Sequence, residues 1–214
     1  MHGKSFLTKA MKQTLAITIA FALLTGAATA ADDGFKPLFN GKNTDGWHLR
    51  RKDGHNSWKV EDGVLKNIVQ KGEHGTDLVT DDTFWNFTVR YEYMVPNASN
   101  SGFYLRGRHE LQIFGDYNSG KTAKGGNGAI YNFKAPDQFV SKPSNEWQTV
   151  EATVIGNKIT VIQNGVKIHD SVECKVATGS EINNKLDQPG PLFLQGDHGT
   201  VSFRNIRIKN LPKD

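Results

Sequence analysis

Beyond residue 31 the chain carries no helical hydrophobic period. Short runs that alternate apolar and polar residues recur instead, each cut off by Gly, Asn or Asp. A period of two sends successive side chains to opposite faces, so each run can bury only one face. A chain built of one-faced strands must pair two sheets or close a barrel. Residues 87–95 show the pattern plainly, with Phe87, Val89, Tyr91 and Tyr93 on one side and Thr88, Arg90 and Glu92 on the other. Glu61-Asp62-Gly63, Gly156-Asn157 and Asn164-Gly165 are tight-turn sequences between such runs, which predicts antiparallel neighbours. Residues 192–195 and 201–208 read as the last hairpin. Two longer stretches, 117–127 and 172–190, read as loops of functional interest. No linker or repeat divides the chain, so the expectation is one all-β domain over 31–214, a two-sheet antiparallel sandwich.

The first thirty residues stand apart. Lys4, Lys9 and Lys12 precede an apolar run over 15–28 that ends in Ala28-Thr29-Ala30. That order is the pattern of a cleaved signal peptide over 1–30, and the run is shorter than the roughly 20 residues a membrane span needs. The expectation is a periplasmic or secreted bacterial protein with no membrane insertion after cleavage. No Cys follows the apolar run, which argues against lipid attachment there. Three of the 26 basic residues and none of the 22 acidic ones fall in the leader, leaving a net charge of +1 beyond it. The overall pI of about 9.1 therefore gives no reason to expect nucleic-acid binding. With Cys174 as the single cysteine, no disulfide can form within the chain.

One stretch breaks the usual division of labour. "SGFYLRGRHELQIFG", residues 101–115, alternates as a hairpin yet crowds Arg106, Arg108, His109, Glu110 and Gln112 into its middle. A three-residue turn at Gly107-Arg108-His109 would pair Arg106 with Glu110 and Tyr104 with Gln112. It would leave Phe103, Leu105, Leu111 and Ile113 together on the other face. A two-residue turn would mix apolar and charged groups on both faces. The polar face could be a solvated outer sheet holding an ordinary cross-strand ion pair. Its Tyr, Gln, Arg and Glu are also the directional donors and acceptors that a hydroxyl-rich ligand requires, and a binding floor is the reading carried forward.

A second cluster is Gln195-Gly196-Asp197-His198-Gly199. Glycines on either side let Asp197 sit close to His198, as an orienting carboxylate does beside a general base. A turn histidine is otherwise simply exposed. Tyr131 in "GAIY" and Lys142 in "SKP" add an aromatic and a cation near the loops.

The motifs "NSGFYLRGRHELQIF", "GAIYNFKAP", "SKPSNEWQTVEATVIGNKITVIQNGV" and "GDHGTVSFRNIRIKNL", preceded by "FKPLFNGKNTDGW" and "WKVEDGVL", resemble in order the 3-keto-disaccharide hydrolase domain family. The resemblance runs from Phe35 to Leu211. It implies a concanavalin A-like jelly roll whose concave sheet carries the site, and cleavage of glycosides already oxidised at C3. Carried onto this chain, it nominates Arg106, Glu110, Gln112, Tyr131, Lys142, Gln195, Asp197 and His198; Tyr104 joins them from the hairpin. The family's last motif more often runs Gln-Asp-His-Gly without a break, whereas here Gly196 is inserted.

Glucanases of the same fold carry Glu-x-Asp-x-Glu on one strand. Here the corresponding positions are Glu110, Gln112 and Phe114. Retaining displacement needs two carboxyls about 5 Å apart, and the strand holds one. A 3-keto sugar does not need that arrangement, because its ketone acidifies C2–H and one base with one acid can expel the C1 substituent. The expected roles are His198 as base, Glu110 as acid or metal ligand, and Arg106 or Lys142 as holder of the enolate. A divalent ion on His, Asp and Glu ligands is left open, with no ligand-spacing motif to fix it. The competing expectation is a carbohydrate-binding module without catalysis.

Overall fold

In the computed structural model residues 33–70 and 72–213 are described; the expected leader over 1–30 lies outside them. Two antiparallel sheets face one another. The larger pairs β3 (Trp58–Glu61), β4 (Val64–Asn67), β6 (Phe87–Met94), β9 (Gln148–Ile155), β10 (Lys158–Gln163), β11 (Val166–Glu173) and β13 (Val201–Asn210), with β1 (Lys36–Pro37) beside β13. The smaller runs in the order β2 (Trp47–Leu49), β5 (Leu78–Thr80), β12 (Phe193–Leu194), β7 (Asn100–Leu105) and β8 (His109–Phe114). The described residues thus form the all-β antiparallel sandwich expected from the alternation.

The inner faces supply the core. Phe87, Val89, Tyr91 and Tyr93 from β6 meet Phe103, Leu105, Leu111 and Ile113 from β7 and β8, all buried. The Tyr91 and Phe103 rings stack across the two layers, with centroids 4.1 Å apart and planes 8° off parallel. Burying each such side chain contributes about 1.5–3 kcal/mol. The expected turns at Asp62-Gly63, Gly156-Asn157 and Asn164-Gly165 join β3 to β4, β9 to β10 and β10 to β11.

Two expectations need correction. The charged hairpin turns at Arg106-Gly107-Arg108, one residue earlier than expected. Leu105 pairs with His109, Tyr104 with Glu110, Phe103 with Leu111 and Gly102 with Gln112. Arg106 and Gly107 both take positive φ, 53° and 68°, and the Arg108 N–H donates to the Leu105 carbonyl at 3.1 Å. These are the features of a type I′ turn, whose twist matches that of the strands. Moving the turn by one residue moves the pairing by two, so the face assignments survive while Arg106 leaves the strand. The last "hairpin" is not one. β12 lies in the small sheet and β13 in the large, so residues 195–200 carry the chain across the sandwich edge. Asn67 secures that crossing by donating its side-chain amide to the carbonyls of Gly196 and Gly199, at 3.0 and 2.8 Å.

The sheet-edge strand β8 is sealed on its open side. The Gln112 N–H donates to Ala129 O, the Gly128 N–H to Gln112 O and the Tyr131 N–H to Glu110 O. The Glu110 N–H donates to Thr178 Oγ1 at 2.8 Å. The segment 128–131, just after the first long loop, and Thr178 of the second thus close an edge that would otherwise be open.

Candidate active site on the outer face of the small sheet

Strand pairing places the floor residues in rows. His48, Val79, Phe193, Tyr104 and Glu110 follow one another across the five strands. One step along, Arg50, Asp77, Gln195, Gly102 and Gln112 form the next row, through the Arg50-to-Asp77 and Gln195-to-Gly102 backbone bonds, both 2.9 Å, and the Gly102–Gln112 pair. Side chains two residues apart share a face, so both rows look outward, away from the core.

Gly102 is a gap in that floor. An added Cβ would lie 2.3 Å from Glu110 Oε1, so the Glu110 side chain leans across the neighbouring strand into the space glycine leaves. Tyr104 holds it there, donating its hydroxyl to Glu110 Oε2 at 2.8 Å. Tyr104 in turn stacks on Phe193, with ring centroids 3.8 Å apart. Burial, with the Glu110 charge beside it, pushes the Tyr104 phenol far up, so it stays a donor. Burial pushes the Glu110 carboxyl up to about 7; Asp197 and Asp77 add to this, while the Tyr104 hydrogen bond and His198 oppose it.

His198 stands on the crossing from β12 to β13. Its Nδ1 pairs with the Asp197 carboxylate, and this bond above all raises the imidazole above its ordinary range, against partial burial. Burial works against Asp197 ionisation, but the His198 bond and charge outweigh it and the carboxyl lies below its ordinary range. The inserted Gly196 fits where a side chain could not, since a Cβ would come within 2.4 Å of the Thr76 carbonyl. The Gly196 N–H donates to Asp77 Oδ1 at 3.0 Å. Asp77 Oδ2 accepts from Arg50 at 3.1 Å, and Arg50 also donates to the carbonyls of Ser180 and Glu181, at 2.8 and 2.9 Å. Arg50 and Asp77 therefore tie the His198 crossing to the 174–190 loop.

Tyr104, Glu110, Gln112, Tyr131, Gln195 and His198, six of the expected residues, line one cavity of about 90 Å³. Asn100, Gly179 and Ser180 line it too, none of them expected. Asp197 sits just beyond, holding His198 from behind. Asn100 Oδ1, Gln112 Oε1 and Gln195 Oε1 are buried and have no hydrogen-bond partner among the described residues. Three unpaired amide oxygens around one cavity are acceptors awaiting donors, because buried polar atoms are nearly always paired.

Two expected residues do not join the cavity. Arg106, fully buried, packs its guanidinium 4.4 Å from the Trp85 ring centroid and reaches Asn157 Oδ1 at 3.3 Å. The turn geometry removes it from the floor. Lys142 donates Nζ to the Trp147 carbonyl at 3.1 Å, within its own exposed loop. Nor do Glu110, Asp197 and His198 make a metal site: among the described residues no three His, Cys, Asp or Glu side chains converge as a ligand set. A larger hollow of about 580 Å³ lies on the outer face of the large sheet, where Arg90 pairs with Glu151 at 2.6 Å. It lies across the sandwich from Glu110 and His198 and holds no buried acid or base.

A curated Bacteroides thetaiotaomicron protein named 3-keto-disaccharide hydrolase is 38% identical over 81 residues, which are 34% of this chain and 28% of that protein. The chain thus matches little more than a quarter of that relative's length. A crystal structure from Parabacteroides distasonis, of a protein provisionally named a glycosyl hydrolase, superposes with a TM-score of 0.68 at 28% identity, over 84% of each chain. The carbohydrate-binding module CBM66 from Bacillus subtilis shares the fold, with a TM-score of 0.50 at 12% identity over 77% of this chain and 96% of that one. The family model described as the 3-keto-alpha-glucoside-1,2-lyase-like domain matches residues 34–209, and the chain belongs to that family.

Proposed function

We propose that this protein is an exported carbohydrate-active enzyme that cleaves glycosides oxidised at C3, by removing the C2 proton and eliminating the C1 substituent. The observation that carries the reading is one cavity lined by a carboxyl poised at about 7, a histidine held by a carboxylate, and three unpaired amide oxygens. The amide oxygens suit sugar hydroxyls. The acid and base suit proton transfer near neutral pH.

The electrostatics favour roles opposite to those expected from sequence. Glu110, ionised above about 7, is the base that takes the C2 proton. The electron pair passes to the C3 oxygen as an enolate and returns to form C1=C2 as the C1–O bond breaks. The Asp197–His198 pair favours the imidazolium, whose remaining N–H is the acid that protonates the departing oxygen. Water adding across C1=C2 completes a net hydrolysis. With Arg106 and Lys142 elsewhere, the His198 imidazolium is the positive charge that lines the cavity.

The test offers a 3-keto-disaccharide and its unoxidised parent to the protein, with product analysis by mass spectrometry. Cleavage of the oxidised sugar alone is the expected outcome. Binding of both without cleavage would replace the reading with that of a binding module.

A further inference from the structure

Three parts of the chain enclose the reacting pair, and one side chain outside the cavity touches all three. Arg50 follows β2 directly and lines no part of the cavity at Glu110. Its guanidinium donates to Asp77 Oδ2 at 3.1 Å and to the carbonyls of Ser180 and Glu181 at 2.8 and 2.9 Å. The same group lies 5.3 Å from the Phe193 ring centroid, within reach of a cation–π contact. Each contact leads to the site in one further step. Phe193 stacks on Tyr104, which holds Glu110. Asp77 accepts the Gly196 N–H, two residues before His198. Ser180 lines the cavity itself.

We propose that Arg50 is a positioning residue, which fixes the floor under Glu110, the crossing that carries His198 and the lip at Ser180 relative to one another. The proposal rests on the elimination reading for the roles of Glu110 and His198. Arg50 acts through these neighbours and touches no reacting atom.

The lip calls for such a clamp. Gly179 and Ser180 both have positive φ, 115° and 51°, and a serine adopts that region uncommonly. A backbone of this kind persists where its surroundings over-determine it. Thr178 and Ile182, on either side, are anchored by their N–H groups to the Arg108 and Gly107 carbonyls, at 3.0 and 2.9 Å. The Ser180 and Glu181 carbonyls between them are held by Arg50. A planar guanidinium fork can hold a carboxylate and two adjacent carbonyls at once, whereas lysine gathers its donors at one point on a flexible stem. Asp77 has 10% of its side chain exposed, so its charge depends on the same partner.

The Arg50 side chain is 31% exposed, so a free guanidinium ion can enter the space that Arg50→Ala leaves. The experiment compares wild type, Arg50→Ala and Arg50→Lys, each with and without guanidinium chloride well below denaturing concentration. NMR relaxation gives backbone order parameters for 179–181, and cleavage of a 3-keto-disaccharide gives kcat and KM. Arg50→Ala should drop the order parameters from about 0.85 to below about 0.6. It should lower kcat about 10²-fold, the cost of misplacing reacting groups by about 1 Å, with KM little changed. Guanidinium should restore both, and Arg50→Lys should recover little of either. Wild-type kcat and order parameters in Arg50→Ala, or a loss that guanidinium leaves untouched, would overturn the role. Full recovery in Arg50→Lys would assign the effect to the charge opposite Asp77 and overturn the clamp. A wild-type protein that cleaves nothing counts against the elimination reading, and the order parameters with and without guanidinium then decide the clamp.

Discussion

Glu110 is held where a carboxylate is costly, and that cost can be measured. The residue is 3% exposed, and burial lifts its carboxyl from 4.5 to about 7. In the unfolded chain it ionises near its ordinary value. Between those two values the folded state holds a proton that the unfolded state has released, so stability falls as pH rises through about 7. Once both states are ionised the penalty is about 3 kcal/mol. Glu110→Gln keeps an acceptor for Tyr104 and removes the charge. The variant should therefore be more stable than wild type by about 3 kcal/mol near pH 8.5, and by less than about 1 kcal/mol near pH 5. For a domain of this size that is a rise in Tm of about 6–12 °C at the higher pH. Thermal melts of both proteins at the two pH values read it directly, beside an activity assay in which the variant should lose about 10²–10⁴-fold. Equal Tm differences at both pH values, or a destabilised variant near pH 8.5, would refute the claim that Glu110 is strained by burial.

Gly102→Ala puts a methyl 2.3 Å from Glu110 Oε1 and 2.9 Å from its Cγ and Cδ, and should swing the side chain out of its slot. Cleavage should fall about 10²-fold, and the acidic limb of the pH–rate profile should drop from about 7 toward about 4.3. Asp197→Asn removes the group that holds up the His198 proton, so an NMR titration should show the imidazole falling toward about 6.5, with the alkaline limb of the rate profile following it. Arg106→Met should leave cleavage within about twofold and, by urea denaturation, be neutral or stabilising by about 1–4 kcal/mol, because its buried Nε and Nη1 lack partners. A tenfold loss of activity in that variant with the fold intact would return Arg106 to the site.

Alternation made much of this legible in the sequence. Parity alone separated Phe103, Leu105, Leu111 and Ile113 from Tyr104, Glu110 and Gln112, and a slip of two residues cannot disturb parity. For the same reason parity could not locate the turn, and Arg106-Gly107 lacks the Asn-Gly signature that would have marked two left-handed positions. Nor does alternation say to which sheet a strand belongs, so residues 195–200 read as a hairpin although they cross the sandwich. Arg50, Asp77 and Asn100 were invisible for another reason. Each stands among other polar residues at or just beyond a strand end, with nothing to single it out, and only the pairing of β2, β5, β12, β7 and β8 brings them to the face that carries Glu110. The electrostatics came from packing: a glutamate in a charged-looking hairpin gives no sign that burial will raise it to about 7.

The strand that carries Glu110 is also the last strand of its sheet, and that has a consequence for how copies of the chain meet. An open edge there would offer its backbone to another molecule, and the added strand would end beside the cavity at Glu110. The segment 128–131 and the Thr178 hydroxyl occupy that edge from within the same chain. Each copy thereby caps its own site strand, and self-association by strand addition is blocked at the place where it would obstruct access most.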